Sequence, residues 1–216
     1  MAPILVSLDI GTSNIRTFVA QILSGNVIDV IGVGIAESEG VEWGYISNME
    51  GAFQSTEKSL LEAQRSAGVK IKEVVVNING PHFNITEVTD WTKISPGNSP
   101  NPPIISATEI SDFLKKVSLK RTHSDYTLIH TLPQKYTIDR NYSVNNPIGL
   151  SGSLLEVKAL LVFAPVNIYL NFQTLLSQLG IKASQFIYSP LASGQAVLSD
   201  SEKRGGVTLI DLGAGT

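Results

Sequence analysis

Apolar and polar positions divide this chain into segments with two different periods. "ILVSLDI" (Ile4–Ile10) is almost continuously apolar and predicts a buried strand. "IRTFVAQI" (Ile15–Ile22) alternates and predicts its hairpin partner across the turn Gly11–Asn14. "VIDVIGVGIA" (Val27–Ala36) predicts a third strand after Ser24-Gly25-Asn26, so the three form an antiparallel meander. The period then lengthens. Phe53, Thr56, Leu60, Ala63 and Ala67 recur at helical spacing, with Asn48 placed as N-cap and Gly68 as C-terminal stop, predicting a helix over 48–67. "VVVNI" (Val74–Ile78) predicts a fully buried strand parallel to the first, which makes the helix a crossover on one face of the sheet.

Between Gly80 and Pro103 the pattern dissolves into "ISPGNSPNPP", a turn-rich loop. Ser106 and Glu109 then spell a capping box ahead of the apolar stripe Ile110, Phe113, Leu114 and Val117. "YTLIHTLPQKYTI" and "SLLEVKALLVFA" predict two strand regions joined by the loop "NNPIGLSG". From Val166 the sequence predicts a helix to Leu179, a strand "ASQFIYS", a helix Pro190–Leu198 and a last strand Val207–Leu212. The expected organisation is an α/β core from 1–80 and 165–216, interrupted by an α+β module at 81–164.

Composition narrows the class. Hydrophobic residues make up 43% and charged residues 16% of 216, a globular balance, and the net charge of -3 gives no electrostatic case for nucleic acid. The absence of cysteine excludes disulfides and thiolate chemistry. The longest apolar run, "ALLVFAPV", falls far below the roughly 20 residues of a membrane-spanning helix. The start Met1-Ala-Pro-Ile lacks a basic region, predicting no secretory signal and a cytoplasmic protein. His82, His123 and His130 show no metal spacing and are expected to be structural or at the surface.

Candidate chemistry lies in two similar stretches, "LVSLDIGTSNIR" and "VTLIDLGAGT". Each is an apolar strand ending in Asp, then an apolar residue, glycine and small or hydroxyl residues. Glycine lets the backbone approach an anion and turn its N–H groups inward. The predicted phosphate-binding set is Asp9, Gly11, Thr12, Ser13 and Asn14 with Asp211, Gly213, Gly215 and Thr216. Asp9 and Asp211, at strand ends, are expected to face a hydrated Mg²⁺ through water, since magnesium keeps several waters. One such turn is a common hairpin; two copies on an α/β framework can grip a polyphosphate from both sides.

At these residues the sequence resembles the actin-like ATPase superfamily, with "DIGTSNIR" as first phosphate loop, "DLGAGT" as second and "SPLASGQAVL" as connecting helix. Within it, "GVGIAESEGVEWGYISNMEGAFQSTEKSLLEAQRSAGVKIKEVVVNINGPHF", "HTLPQKYTIDRNYSVNNPIGLSGSLLEV" and "SPLASG" resemble the FtsA family of bacterial cell division over nearly all of the chain. The resemblance implies an actin-like, ribonuclease H-like core subdomain (1A) carrying an inserted subdomain of the SHS2 type (1C). It implies ATP and Mg as cofactors, self-association into filaments, and tethering of FtsZ to the inner face of the plasma membrane at the division site. Later division proteins are expected to meet residues 81–164. The second lobe, with the adenosine pocket, the FtsZ-binding region and a C-terminal amphipathic membrane helix, is expected to lie beyond Thr216. Half a nucleotide site predicts very weak ATP binding by this chain alone.

Two positions depart from or qualify that pattern. Many actin-like proteins carry a basic residue where Asn14 stands, which leaves a neutral donor in place of a charge-assisted one. Arg16, two residues on, projects to the same strand face and either compensates or, as expected here, is a surface residue. Gln195 is 16 residues before Asp211, a spacing similar to that of a water-orienting glutamine, so it is the one tentative catalytic residue; at most a weak ATPase is expected. Two alternatives are a PilM-like pilus-assembly scaffold and a sugar-kinase-type phosphotransferase. The kinase needs a catalytic base, and the carboxylates of Asp90 and Asp139 fall in the inserted module.

Overall fold

The computed structural model describes residues 3–95, 102–121 and 124–215. The chain divides into two compact units, Met1–His82 with Val166–Thr216, and Phe83–Pro165.

The first unit begins with the meander β1 (Ile4–Ile10), β2 (Asn14–Ile22) and β3 (Ile28–Glu37). A two-residue-per-strand hairpin follows, β4 (Val41–Glu42) and β5 (Tyr45–Ile46), whose turn residues Trp43 and Gly44 both take positive φ. Helix α1 (Met49–Ala67) starts where the Asn48 carboxamide oxygen accepts from Gly51 N–H, and stops where Gly68 turns left-handed. The buried face of α1 is Ala52, Ser55, Thr56, Ser59, Leu60 and Ala63; it takes in Thr56, Leu60 and Ala63 of the expected stripe, while Phe53 and Ala67 are only partly buried. Small residues sit there because the helix presses onto the glycines of β3. A side chain at Gly34 would run into the Ser59 carbonyl. The Ser59 hydroxyl instead donates to the Gly34 carbonyl at 3.0 Å and lies 2.8 Å from the Thr17 hydroxyl, so this pair of buried hydroxyls is satisfied, whereas the buried Thr56 hydroxyl has no partner among the described residues.

Strand β6 (Glu73–Ile78) lies parallel to β1, pairing Leu8 with Val76. Strand β7 (Asn84–Lys93) opens the second unit, followed by α2 (Ala107–Leu119), β8 (Tyr126–Ile138), β9 (Tyr142–Val144) and β10 (Leu154–Pro165). These strands form one antiparallel sheet in the order β7-β10-β8-β9. Helix α2 carries the capping box at Ser106 and Glu109 and buries Ile110, Phe113 and Val117 in a core with Val88, Ile138, Leu155, Val157 and Leu161. Neither β7 nor β9 stands out in the sequence. β7 is an edge strand, "NITEVTDWTK", in which only Val88 is fully buried, so no apolar run marks it.

The chain returns to the first unit through α3 (Val166–Gln178) and β11 (Lys182–Tyr188), which joins β6 in parallel. The five-stranded order is β11-β6-β1-β2-β3. Leu8, Ile15, Val19, Val76 and Ile78 from the sheet are buried in this unit, as are Phe172, Leu175 and Leu176 of α3. Each such side chain contributes about 1.5–3 kcal/mol by leaving water. Short helices α4 (Ser189–Val197) and α5 (Asp200–Gly205) follow.

The expected last strand, Val207–Leu212, does not form: these residues belong to no sheet, and Ile210 is 74% and Leu212 89% exposed. A strand-like sequence needs a free edge to pair with. The edges of the five-stranded sheet are β3 and β11, and this segment pairs with neither.

Candidate functional site

The site is built where β1 ends. Gly11 N–H donates to the Asn14 carbonyl at 3.2 Å, closing the turn between β1 and β2. Within it the Asn14 carboxamide donates to the Ser13 hydroxyl at 3.1 Å, and Gly44 N–H donates to the Thr12 hydroxyl at 3.4 Å. Both hydroxyl oxygens are thus acceptors, which leaves each O–H proton free to be aimed at an anion.

Asp9 sits at the strand tip with both carboxylate oxygens engaged. Asn77 on β6 donates from Nδ2 to Oδ1 at 2.7 Å, and Arg16 on β2 donates from Nη1 to Oδ2 at 3.3 Å. Asn77 also accepts from Ile10 N–H at 2.7 Å, and its amide reaches the Ser189 hydroxyl at the start of α4 at 3.3 Å. One carboxamide therefore links the ends of β1, β6 and α4. The sequence gives no motif for Asn77; only its place at the end of "VVVNI", parallel to β1, could have pointed to it.

Asp211 is held by the Ser193 hydroxyl of α4 at 2.7 Å. The second glycine turn packs on the first. A Cβ at Gly215 would lie 2.9 Å from the Thr12 hydroxyl and 3.1 Å from the Trp43 nitrogen, so a larger residue there would push the two turns apart. Between the turns lies a cavity of about 470 Å³, lined by Asp9, Gly11–Asn14, Arg16, Asn77, Ser189, Ser193, Asp211 and Gly213 among others. The structure thus gathers Asp9, Gly11, Thr12, Ser13, Asn14, Asp211 and Gly213 around one space, with Gly215 beside Thr12. Thr216 lies outside the described residues.

Gln195 is not among the residues lining that space. Its side-chain oxygen accepts from Lys203 of α5 at 2.8 Å. It stands two residues after Ser193, about 200° around the helix, so the helical period points it away from the side that holds Asp211. Arg16, expected at the surface, lines the cavity with its side chain 41% exposed.

The donor set fits a phosphate group and a hydrated divalent cation. Backbone turns and hydroxyl protons suit the anion, and two carboxylates suit a cation held through water. Among the described residues no group of three or more His, Cys, Asp and Glu side chains is gathered to ligate a metal directly. The other carboxylates considered are occupied elsewhere. Asp139 accepts from the N–H groups of Ser153 and Leu154 at 2.9 and 2.7 Å, and Asp90 pairs with Lys120 at 2.6 Å. Burial lowers the His130 pKa, and His123 lies outside the described residues.

A meander with parallel crossover strands, interrupted by a separate α+β unit, and two glycine turns facing one cavity define the actin-like class. The solved PilM of a "PilM-PilN type IV pilus biogenesis complex" superposes with a TM-score of 0.58 over 88% of this chain and 49% of that one, at 14% identity. A family profile described as "SHS2 domain inserted in FTSA" matches residues 73–163. Its start takes in β6, which pairs in the five-stranded sheet rather than in the inserted unit. The chain is 33% identical over 212 residues to the cell division protein FtsA of Pseudomonas aeruginosa, covering 98% of this chain and 49% of that one. It is 30% identical over 213 residues to FtsA of Buchnera aphidicola, covering 99% and 50%. The chain is related to the cell-division protein FtsA and spans about half the length of the relatives it matches.

Proposed function

We propose that this chain is the phosphate-binding part of an actin-like, ATP- and Mg-binding scaffold of cell division. The gathering of Asp9, the Gly11–Asn14 turn, Asp211 and Gly213 around one cavity carries that reading. Asp9 and Asp211 hold the hydrated cation, and the glycine turns with the hydroxyls of Thr12 and Ser13 hold the phosphates. Residues 1–80 with 165–216 act as subdomain 1A and 81–164 as subdomain 1C. The whole protein polymerises on the inner face of the plasma membrane, tethers FtsZ filaments there through regions outside this chain, and presents 1C to later division proteins. Catalysis is at most weak ATP hydrolysis, with Gln195 as its water-orienting residue once its side chain leaves Lys203, which donates to it at 2.8 Å.

The fold likeness to PilM supports a second reading, a pilus-assembly scaffold, but the FtsA relatives share 26–33% of positions against 14% for PilM. Pelleting the whole protein with FtsZ polymers from the same organism separates the two. Co-pelleting that requires the protein supports the division scaffold, and its absence at saturating FtsZ removes that reading.

A further inference from the structure

The two glycine turns do not meet alone. A third turn, Trp43-Gly44 at the tip of the β4–β5 hairpin, lies against both. Gly44 N–H donates to the Thr12 hydroxyl at 3.4 Å, long for an N–H···O bond. The Trp43 nitrogen stands 3.1 Å from where a Cβ at Gly215 would be. Gly44 lines the cavity between the glycine turns. Trp43 lines a neighbouring cavity of about 420 Å³ with Tyr45, Asn79, Gly80, Pro81 and Gly215. Asn79 borders both spaces, so the two-residue turn is a partition between them.

The hairpin is strained at its tip and fixed at its base. Trp43 has φ 50° and Gly44 φ 76°. Tight two-residue hairpins require that sign, and Asn-Gly is the pair that takes it readily. A bulky side chain there is an outlier. Burial does not compensate it, since Trp43 is 61% exposed. Strain kept without burial is a pointer to function. At the base, Val41 and Ile46 are buried, and the Gly40 carbonyl accepts from Ser47 and Asn48 N–H at 2.9 and 3.1 Å. Movement is therefore confined to the tip, and the cavity beside Trp43 gives it space.

We propose that this hairpin is a third, movable wall of the cleft: Gly44 N–H positions the Thr12 hydroxyl for an anion, and the tip draws in with Trp43 once that hydroxyl is engaged. This rests on the nucleotide reading of the cavity and goes beyond it. A hydroxyl that donates to a phosphate oxygen becomes a better acceptor, so the long Gly44–Thr12 bond shortens. The coupling is reciprocal: whatever holds the tip in tightens phosphate binding by the same factor. Gly44 is thus a positioning residue acting through Thr12, and Trp43 carries the state of the cleft to the surface.

The test uses the 216-residue chain with Trp91→Phe, which leaves Trp43 as the one tryptophan of two. It is titrated with inorganic tripolyphosphate in excess Mg²⁺. Amide chemical shifts at Gly11–Asn14 read binding, while Trp43 emission and hydrogen exchange at Gly44 N–H read the hairpin. Saturation is expected to move the emission to shorter wavelength and to slow Gly44 exchange about fivefold or more, the low end of a coupling between two sites. Thr12→Val, which removes the acceptor, is expected to leave both hairpin readouts unmoved at whatever occupancy the amide shifts report. Gly44→Pro, which removes the donor, is expected to weaken binding about fivefold or more. If one of these variants does not fold, the other decides. Saturated binding with unmoved Trp43 emission and unchanged Gly44 exchange overturns the proposal, as does a full response in Thr12→Val or undiminished binding by Gly44→Pro. A chain that shows no shifts at Gly11–Asn14 with Mg-tripolyphosphate removes the cleft reading and the hairpin's role with it; one that shows them over a still hairpin removes only the hairpin's role.

Discussion

Asn77 fixes Asp9: its amide nitrogen donates to the Asp9 carboxylate at 2.7 Å while its oxygen accepts from Ile10 N–H at 2.7 Å, so the end of β6 holds both side chain and backbone at the end of β1. A half-buried carboxamide with both ends engaged orients the carboxylate before any ligand arrives. Asn77→Ala removes both bonds and leaves Asp9 and the Ile10 N–H to water. The expected loss is about 1–3 kcal/mol of stability, read as a lower urea midpoint with unchanged slope. Asn77→Asp, which cannot donate and sets a second charge beside Asp9, is expected to lose more at neutral pH than at pH 3.

Gly34 is where α1 meets the sheet. Gly34→Val drives a branched side chain into the Ser59 carbonyl and breaks the Ser59–Gly34 hydrogen bond. Destabilisation of about 2 kcal/mol or more is expected from overpacking and the orphaned polar groups, measured by thermal unfolding. Gly25→Ala, in open space on a turn, serves as the comparison and is expected to cost only its backbone strain.

In the inserted unit, Asp90 titrates below the usual carboxylate range. Burial pushes its carboxyl up, but the Lys120 ammonium, the Trp91 N–H and the Arg121 charge together outweigh that. A lowered folded-state pKa means the contribution is fully present above the unfolded carboxylate value and is lost as pH falls through the folded one. Asp90→Asn is therefore expected to destabilise by roughly 0.5–1 kcal/mol at pH 7, the scale of a surface pair, and the difference is expected to vanish near pH 2. Urea titrations at the two pH values decide this.

The stretch Val207–Leu212 is expected to exchange its amide protons within minutes, whereas Leu8 and Val76, paired in the sheet centre, exchange orders of magnitude more slowly. Protection of Leu209 or Ile210 comparable to Leu8 would mean a sheet partner exists for this segment after all.

These outcomes show where sequence reading holds and where it stops. Runs such as "ILVSLDI" and "VVVNI" name their strands because they are dense in apolar, largely β-branched residues, although burial alternates along both and Ile4, Leu5 and Ser7 are exposed. The caps at Asn48, Gly68 and Ser106 are legible because each is a local interaction of a few residues. The edge strand β7 is not, since half of its side chains face water, and Val207–Leu212 misleads because its pattern says strand while pairing depends on a partner elsewhere. In the site, the turns carry their own signature in Asp and Gly. Asn77 and Ser193 do not, because their roles arise from residues 68 and 18 positions away, and linear spacing alone does not say which side of α4 Gln195 occupies.

The central claim is that the two glycine turns together take the phosphates of a nucleotide. The most direct measurement is an amide chemical-shift titration of this chain with Mg-ATP and, separately, with adenosine. The account predicts Mg-ATP shifts concentrated at Gly11–Asn14, Asn77, Ser189–Ser193 and Asp211–Gly215, with adenosine alone moving none of them. Shifts centred on Phe83–Pro165, or the same shifts produced by adenosine, would contradict it.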